Sequence, residues 1–149
     1  MPEYKHILVG LDLSPESNQV VNRVAHLFLS GTDNAPRITL MHVQEPLSFA
    51  YGGDIPMDLS DVQSQLEEQA RKSLARHGST LSVPSADQIV IVGQPAHELH
   101  RYADEHQADL IVVGSHGRHG LALLLGSTAN GVIHGAGCDV LAVRIREEN

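Results

Sequence analysis

The sequence predicts an α/β fold in which a parallel β-sheet is covered by helices on both faces. Short, nearly continuous apolar runs recur along the chain, which is typical of strands buried on both faces of a sheet. Amphipathic helical segments separate these runs in the order βαβ, a helix, then βαβαβ, as in parallel sheets with helical crossovers. A chain of 149 residues fits one domain, and we assign residues 1–149 to it.

The first βα unit begins with a buried strand at Ile7–Val9, which ends in Gly10-Leu11-Asp12. Ser14 and Pro15 are expected to open the first helix, Ser14 as its cap and Pro15 at its first position. The helix is expected to stop at 31–34. Its predicted buried stripe consists of Val20, Val21, Val24, Leu27 and Phe28.

The second strand is predicted from Ile38 to Val43, closed by Glu45-Pro46. The segment 47–57 is rich in Gly and Pro and has no clear period, which is typical of a functional or mobile loop. A second helix follows, with the apolar stripe Leu59, Val62, Leu66, Ala70 and Leu74.

The rest of the chain supplies three strands and two helices. The strands are predicted at Ile89–Val92, Leu110–Val113 and Val140–Val143. One helix begins at Gly93-Gln94-Pro95 with Ala96, Leu99 and Ala103 inward, and the other spans Thr128–His134.

Charge and composition exclude several classes of partner. The formal net charge of -8 argues against nucleic acid and anionic membrane surfaces as main partners. The single cysteine, Cys138, excludes an intrachain disulfide, and we interpret it as a small buried hydrophobe. No apolar run has the roughly 20 residues that span a bilayer, and the start of the chain lacks a signal-peptide pattern. We therefore expect a cytoplasmic protein.

Two strand ends carry the candidate site, because ligands of open parallel sheets bind beyond the carboxyl ends of the strands. The first strand ends in Gly10-Leu11-Asp12, and the fourth is followed by the glycine-rich segment 114–120 and then by Gly126-Ser127-Thr128. Glycines let backbone N–H groups approach phosphate oxygens, and a helix start favours an anion. Asp12 can bind ribose hydroxyls or a metal ion. Spacing alone leaves the alternative open that these residues only form turns and caps.

Three segments resemble the universal stress protein family, and the resemblance extends over essentially the whole chain. The opening segment 4–17 is similar to the N-terminal segment of the UspA type, and Asp109–Gly117 resembles the ATP-binding branch. Cys138–Val143 resembles the C-terminal segment of family members. The resemblance implies a Rossmann-like, open five-stranded parallel sheet of order 3-2-1-4-5. It also implies a homodimer that forms through the last strands and acts as a regulator of the stress response.

The glycine loop combines features of both branches of the family. ATP-binding members carry Gly-x2-Gly-x9-Gly-(Ser/Thr), which Gly114, Gly117, Gly126 and Ser127 match in residue type. Only eight residues, 118–125, separate Gly117 from Gly126, and this loop length is that of UspA-type members that do not bind ATP. The resemblance therefore implies ATP or AMP as ligand, with Mg²⁺ as a further candidate, and leaves a nucleotide-free UspA-type interaction protein as the alternative.

The resemblance also assigns site residues by matching position. Leu11, Asp12 and Ser14 are expected on the ribose side, and Val43 is expected to offer its backbone to adenine. The phosphates are expected among Gly114, His116, Gly117, Gly126, Ser127 and Thr128.

Enzymatic and metal-binding functions have weaker support. The sequence has no Gly-x-Ser-x-Gly elbow and no Gly-Lys-(Ser/Thr), so we expect no enzyme activity beyond slow ATP hydrolysis. The pairs His97/His100 and His116/His119 have metal-compatible spacing, but a zinc site normally needs three or four ligands, and we assign no metal ligands. The sequence does not identify a protein partner.

Overall fold

The computed structural model describes residues 4–31, 34–46, 59–116 and 127–146. In these ranges, parallel strands form one five-stranded sheet in the order β3-β2-β1-β4-β5. The fold class predicted from the sequence and the strand order implied by the resemblance are confirmed. The strands are β1 (His6–Gly10), β2 (Arg37–Gln44), β3 (Gln88–Val92), β4 (Leu110–His116) and β5 (Asp139–Ile145).

The α-helices of the described ranges are α1 (Ser17–Val24), α2 (Leu59–Leu81), α3 (Pro95–His106) and α4 (Ser127–Gly135). They cover both faces of the sheet, because alternate residues of a strand point to opposite faces. On one face Val9 packs with Val24 of α1 and Leu74 of α2. On the other face Leu8 packs with Leu99 of α3 and Ala129 of α4. Burial of each such aliphatic side chain stabilises the fold by about 1.5–3 kcal/mol.

The first helix begins later than the sequence indicated. Ser14 and Pro15 precede α1, and the capping position falls on Glu16, whose side chain makes no capping hydrogen bond. The carboxylate of Asp12 instead accepts hydrogen bonds from the Ser14 N–H (2.9 Å) and the Ser17 hydroxyl (3.1 Å). The capping role predicted for Ser14 is wrong, because the carboxylate of Asp12 stabilises this turn.

A π-helical turn, Ala25–Leu29, continues α1 and changes which side chains face inward. Helical spacing predicted Leu27 and Phe28 on the buried stripe. Because the wider i→i+5 turn shifts the phase of the helix, Leu27 is 49% exposed and that prediction is wrong. Phe28 is half-buried and meets the ring of Tyr4 edge-on, with the ring centroids 6.0 Å apart.

Only the C-terminal half of α2 packs closely on the sheet. Ala70 and Leu74 are buried, Leu66 is half-buried and Val62 is 38% exposed. At about 1.5 Å per residue, the 23 residues of α2 extend beyond the strands they cover. The predicted stripe is therefore confirmed from Ala70 onward, whereas the side chain of Leu59 lies outside the described residues.

Polar side chains join the strands at the amino edge of the sheet. The Asp109 carboxylate accepts the backbone N–H groups of Lys5 (2.8 Å) and His6 (3.0 Å). His6 is buried, and its Nδ1 lies 3.1 Å from the His106 carbonyl, which can only accept. In the neutral ring, Nε2 therefore accepts the hydroxyl of buried Thr39, 2.8 Å away.

Gln19 of α1 binds the chain directly after β5. Its Nε2 donates to the Arg146 carbonyl (2.7 Å), and its Oε1 accepts the Arg146 N–H (2.9 Å). Both backbone polar groups of Arg146 are thus bound by one side-chain amide.

We predict that Thr39→Val lowers the free energy of unfolding by about 1–3 kcal/mol, because it leaves Nε2 of buried His6 without a donor. Thr39→Ser retains the hydroxyl and serves as the control. Urea unfolding midpoints measure both variants, and a Val variant as stable as the Ser variant would contradict the assigned role of the hydroxyl.

Candidate functional site

A gap opens between β1 and β4 at the carboxyl edge of the sheet. The pairing of these strands ends at Val9 with Val112. β4 then continues beside β5 to the pair of His116 with Ile145, whereas the chain leaves β1 after Gly10. Because β2 and β3 lie on one side of this boundary and β5 on the other, strand order reverses here. Open parallel sheets bind ligands at such a reversal.

The segment 11–14 forms one wall of the gap and has a strained backbone. Leu13 has φ 61°, a left-handed conformation that a leucine rarely adopts. Such conformations persist where the surrounding structure fixes them, and they are concentrated at functional sites. Here the fixing contacts are the hydrogen bonds that exposed Asp12 accepts from Ser14 and Ser17.

The hydroxyl oxygen of Ser14 is buried and has no hydrogen-bond partner in the described part of the chain. A buried hydroxyl without a partner costs about 1–3 kcal/mol. This cost would be removed by a polar ligand atom within reach of Ser14. The position of Ser14 beside Asp12 is therefore consistent with its predicted place at a binding site.

Val43 lies near the end of β2, and its backbone polar groups point toward the gap. Alternate residues of a strand direct these groups to opposite neighbours. The Met41 carbonyl accepts the Leu11 N–H, whereas the Gln44 carbonyl accepts the Gly93 N–H on the other side, each at 2.9 Å. Val43 therefore faces the same side as Met41, one step beyond the point where β1 leaves the sheet.

Leu11 is bound to β2 at both of its backbone polar groups. Its N–H donates to Met41, and its carbonyl accepts Nδ1–H of His42 at 2.8 Å. The side chain of Leu11 is buried in the core, so only its backbone can face a ligand. Sequence reasoning missed His42, although a polar ring within the apolar run of β2 was a usable signal.

The structure places the remaining predicted residues on β4 and α4. At half-buried Gly114, an added Cβ would lie 3.2 Å from side-chain atoms of Ile145 and of Val20, so close packing already favours glycine here. His116 ends β4, Ser127 begins α4 and half-buried Thr128 follows. Gly117, Gly126 and the side chains of His116 and Ser127 lie outside the described residues.

The start of α4 provides N–H groups without helical partners. α4 follows β4 and packs against α3 and β4. Because a crossover helix runs antiparallel to the strands it connects, its N-terminus lies at the carboxyl edge of the sheet. The first turn of a helix carries free N–H groups and the positive end of the dipole, so this arrangement is compatible with an anion.

Other chemistry has little support in the described ranges. Burial raises the pKa of the Cys138 thiol, as do the nearby carboxylates of Asp139, Asp104 and Asp109, so the nucleophilic thiolate is disfavoured. Cys138 is half-buried rather than fully buried. Within residues 4–31, 34–46, 59–116 and 127–146, no group of three or more His, Cys, Asp or Glu residues is arranged to hold a metal. No helix in these ranges is long and apolar enough to cross a membrane.

Known proteins are similar to this chain in sequence and fold. The model of the Universal stress protein family matches residues 3–144. Universal stress protein A homolog 1 of Coxiella burnetii is 42% identical over 145 residues, which cover 97% of this chain and 99% of the relative. Hypothetical protein MJ0577 superposes with a TM-score of 0.80 at 25% identity and covers 99% of this chain and 100% of its own. A universal stress protein in complex with cAMP shares the fold, with a TM-score of 0.62 at 24% identity over 95% of this chain and 98% of its own.

We predict that Asp12→Ala lowers the free energy of unfolding by about 0.5–2 kcal/mol, because the turn before α1 loses its side-chain acceptor. Asp12→Asn retains an acceptor oxygen and is expected to be close to the unmodified protein. Thermal unfolding compares the two variants. Equal stability of the Ala and Asn variants would show that the hydrogen bonds to Asp12 do not hold the turn.

Proposed function

The chain belongs to the universal stress protein family, and from this premise we propose that it binds an adenine nucleotide, ATP or AMP, and acts as a homodimeric regulator of the stress response. The observation that carries the proposal is the gap between β1 and β4, toward which the backbone of Val43 points. The solved relative in complex with cAMP supports an adenine nucleotide as the class of ligand.

In this proposal the backbone of Val43 binds the adenine base. A strand residue with unbonded N–H and C=O groups offers one donor and one acceptor, which suit the edge of adenine. Asp12 and Ser14 would bind ribose hydroxyls, since the unpartnered hydroxyl of Ser14 fits a polar ligand group. Leu11 contributes through its backbone alone, because its side chain is buried.

The phosphates are proposed to lie at the glycine loop and the start of α4. Gly114, Gly117 and Gly126 would let backbone N–H groups approach, and Ser127 and Thr128 would add hydroxyl donors. The backbone of His116, the last residue of β4, is the remaining member of the proposed phosphate site. A Mg²⁺ ion would neutralise phosphate charge next to Asp12, because carboxylate and phosphate oxygens are its preferred ligands.

Binding without efficient catalysis is the expected chemistry. The sequence contains no Gly-Lys-(Ser/Thr), so no lysine of that motif is available to stabilise charge on a transferring phosphoryl group. We therefore assign a regulatory role, with at most slow ATP hydrolysis. The rival function is a nucleotide-free interaction protein, which the loop length between Gly117 and Gly126 favours.

We predict that the protein binds ATP more tightly with Mg²⁺ than without it, and that Gly126→Val abolishes binding because a branched side chain blocks the approach of phosphate. Equilibrium dialysis with labelled ATP measures binding, and mass spectrometry of co-purified nucleotide distinguishes ATP from AMP. Gly137→Val is the control, since an added Cβ there meets Asp104 at an ordinary 3.4 Å.

Retained binding by Gly126→Val would contradict the assignment of the phosphate site. Failure of the unmodified protein to bind any adenine nucleotide would refute the proposed function and favour the nucleotide-free interaction protein.

The dimer is proposed to form through β5, which is an edge of the sheet. An apolar edge without a partner promotes aggregation, and antiparallel pairing with a second copy satisfies its backbone groups. Side chains of β5 alternate between the two faces of the sheet. Leu141, Val143 and Ile145 pack in one core cluster, and Val140 packs in the other.

We predict that Val143→Pro yields monomers or aggregates, because proline removes a backbone donor from the middle of β5. Ala142→Asp is the milder variant, because it keeps every backbone donor of β5 and adds one negative charge from each copy to the proposed interface, where like charges repel. Sedimentation velocity at micromolar concentration measures the assembly. A monomeric unmodified protein would refute the proposed interface.

A further inference from the structure

Leu11 directly follows β1, and the donor to its carbonyl is a side chain. The Met41 carbonyl accepts the Leu11 N–H. If the parallel pairing continued, the Leu11 carbonyl would accept the N–H of the residue two positions after Met41, because alternate residues of a strand face the same neighbour. That residue is Val43, yet no hydrogen bond joins its N–H to the Leu11 carbonyl in the described backbone. Nδ1 of His42 donates to this carbonyl instead, at 2.8 Å.

The contact fixes the chemical state of the ring. A carbonyl oxygen only accepts, so Nδ1 of His42 carries the hydrogen. In the neutral ring, Nε2 then has the lone pair. His42 is half-buried and lies on the face of the sheet that α1 and α2 cover, because it alternates with Leu40 of that core cluster.

We propose that His42 is a positioning residue of the candidate nucleotide site, which binds the Leu11 carbonyl so that the N–H of Val43 stays available to the ligand. The hydrogen bond from the ring replaces the one that the Val43 N–H would otherwise donate to the Leu11 carbonyl. That backbone hydrogen bond would extend the pairing of β1 with β2 and narrow the gap. It also anchors the backbone that leads into the strained turn at Leu13. This inference rests on the proposed nucleotide binding, but its structural part concerns the free protein.

Three substitutions separate positioning from direct contact. Asn places an amide N–H near Nδ1, Gln places one near Nε2, and Leu supplies no donor. We expect His42→Asn to bind ATP within about threefold of the unmodified protein, and His42→Leu and His42→Gln to bind at least about tenfold more weakly, the scale of one lost hydrogen bond. Thermal unfolding verifies that each variant is folded.

The pattern of rescue decides the proposal. Retained affinity in the Gln variant together with loss in the Asn variant would overturn it in favour of direct ligand contact through Nε2. Unchanged affinity in all three variants would overturn any role of His42 in binding, and equal losses in all three would overturn the role of Nδ1 as donor.

A measurement on the free protein keeps this test separate from the proposed function. Long-range ¹⁵N NMR of the histidine rings is expected to show hydrogen on Nδ1 of His42, and amide exchange is expected to be faster at Val43 than at Met41. Hydrogen on Nε2 alone, with none on Nδ1, or equal protection of the two amides, would overturn the proposal whether or not ATP binds. If both expectations hold and the unmodified protein binds no nucleotide, the proposed function fails and so does the role of His42 in serving that ligand.

Discussion

The reversal of strand order between β1 and β4 is the constraint on which the site depends. Central parallel strands are hydrogen-bonded on both sides, so a ligand can reach their backbone only where two neighbours diverge. Here pairing ends at Val9 and Val112, while β4 continues beside β5. The turn at Asp12, the exposed backbone edge at Val43 and the start of α4 all lie at this one divergence. Helical crossovers on both faces make the divergence unavoidable, because the chain must proceed in opposite directions from the centre of the sheet.

Much of the fold was predictable because its signals are local. Strands buried on both faces produce apolar runs, and the starts of α3 and α4 follow from proline and hydroxyl residues at known positions. The errors have tertiary causes. Leu27 is exposed because a π-helical turn shifts the phase of α1, and no periodicity rule anticipates such a turn. Val62 is exposed because α2 is longer than the strands it covers.

The residues of the candidate site were predicted mainly by matching them to the family's motif. Physical reasoning from the sequence identified only some of them. Asp12 and Ser14 stand directly after a strand, where spacing already points to a ligand. The role proposed for Val43 depends on the direction of its backbone N–H and C=O groups. Strand register sets that direction, and the type of residue does not reveal it. His42 was missed because its role arises from the carbonyl it meets across the sheet.

The amide of Gln19 has a consequence for the alignment of β5. A strand can slip by one residue against its neighbour, which would turn every side chain to the opposite face. Gln19 lies on α1, which packs against the core, and its side-chain amide forms hydrogen bonds with the backbone C=O and N–H of Arg146. A slip of β5 against β4 would break these two hydrogen bonds together and would also expose Val143 and Ile145. One glutamine side chain on a neighbouring helix therefore fixes the register of the edge strand β5 against β4.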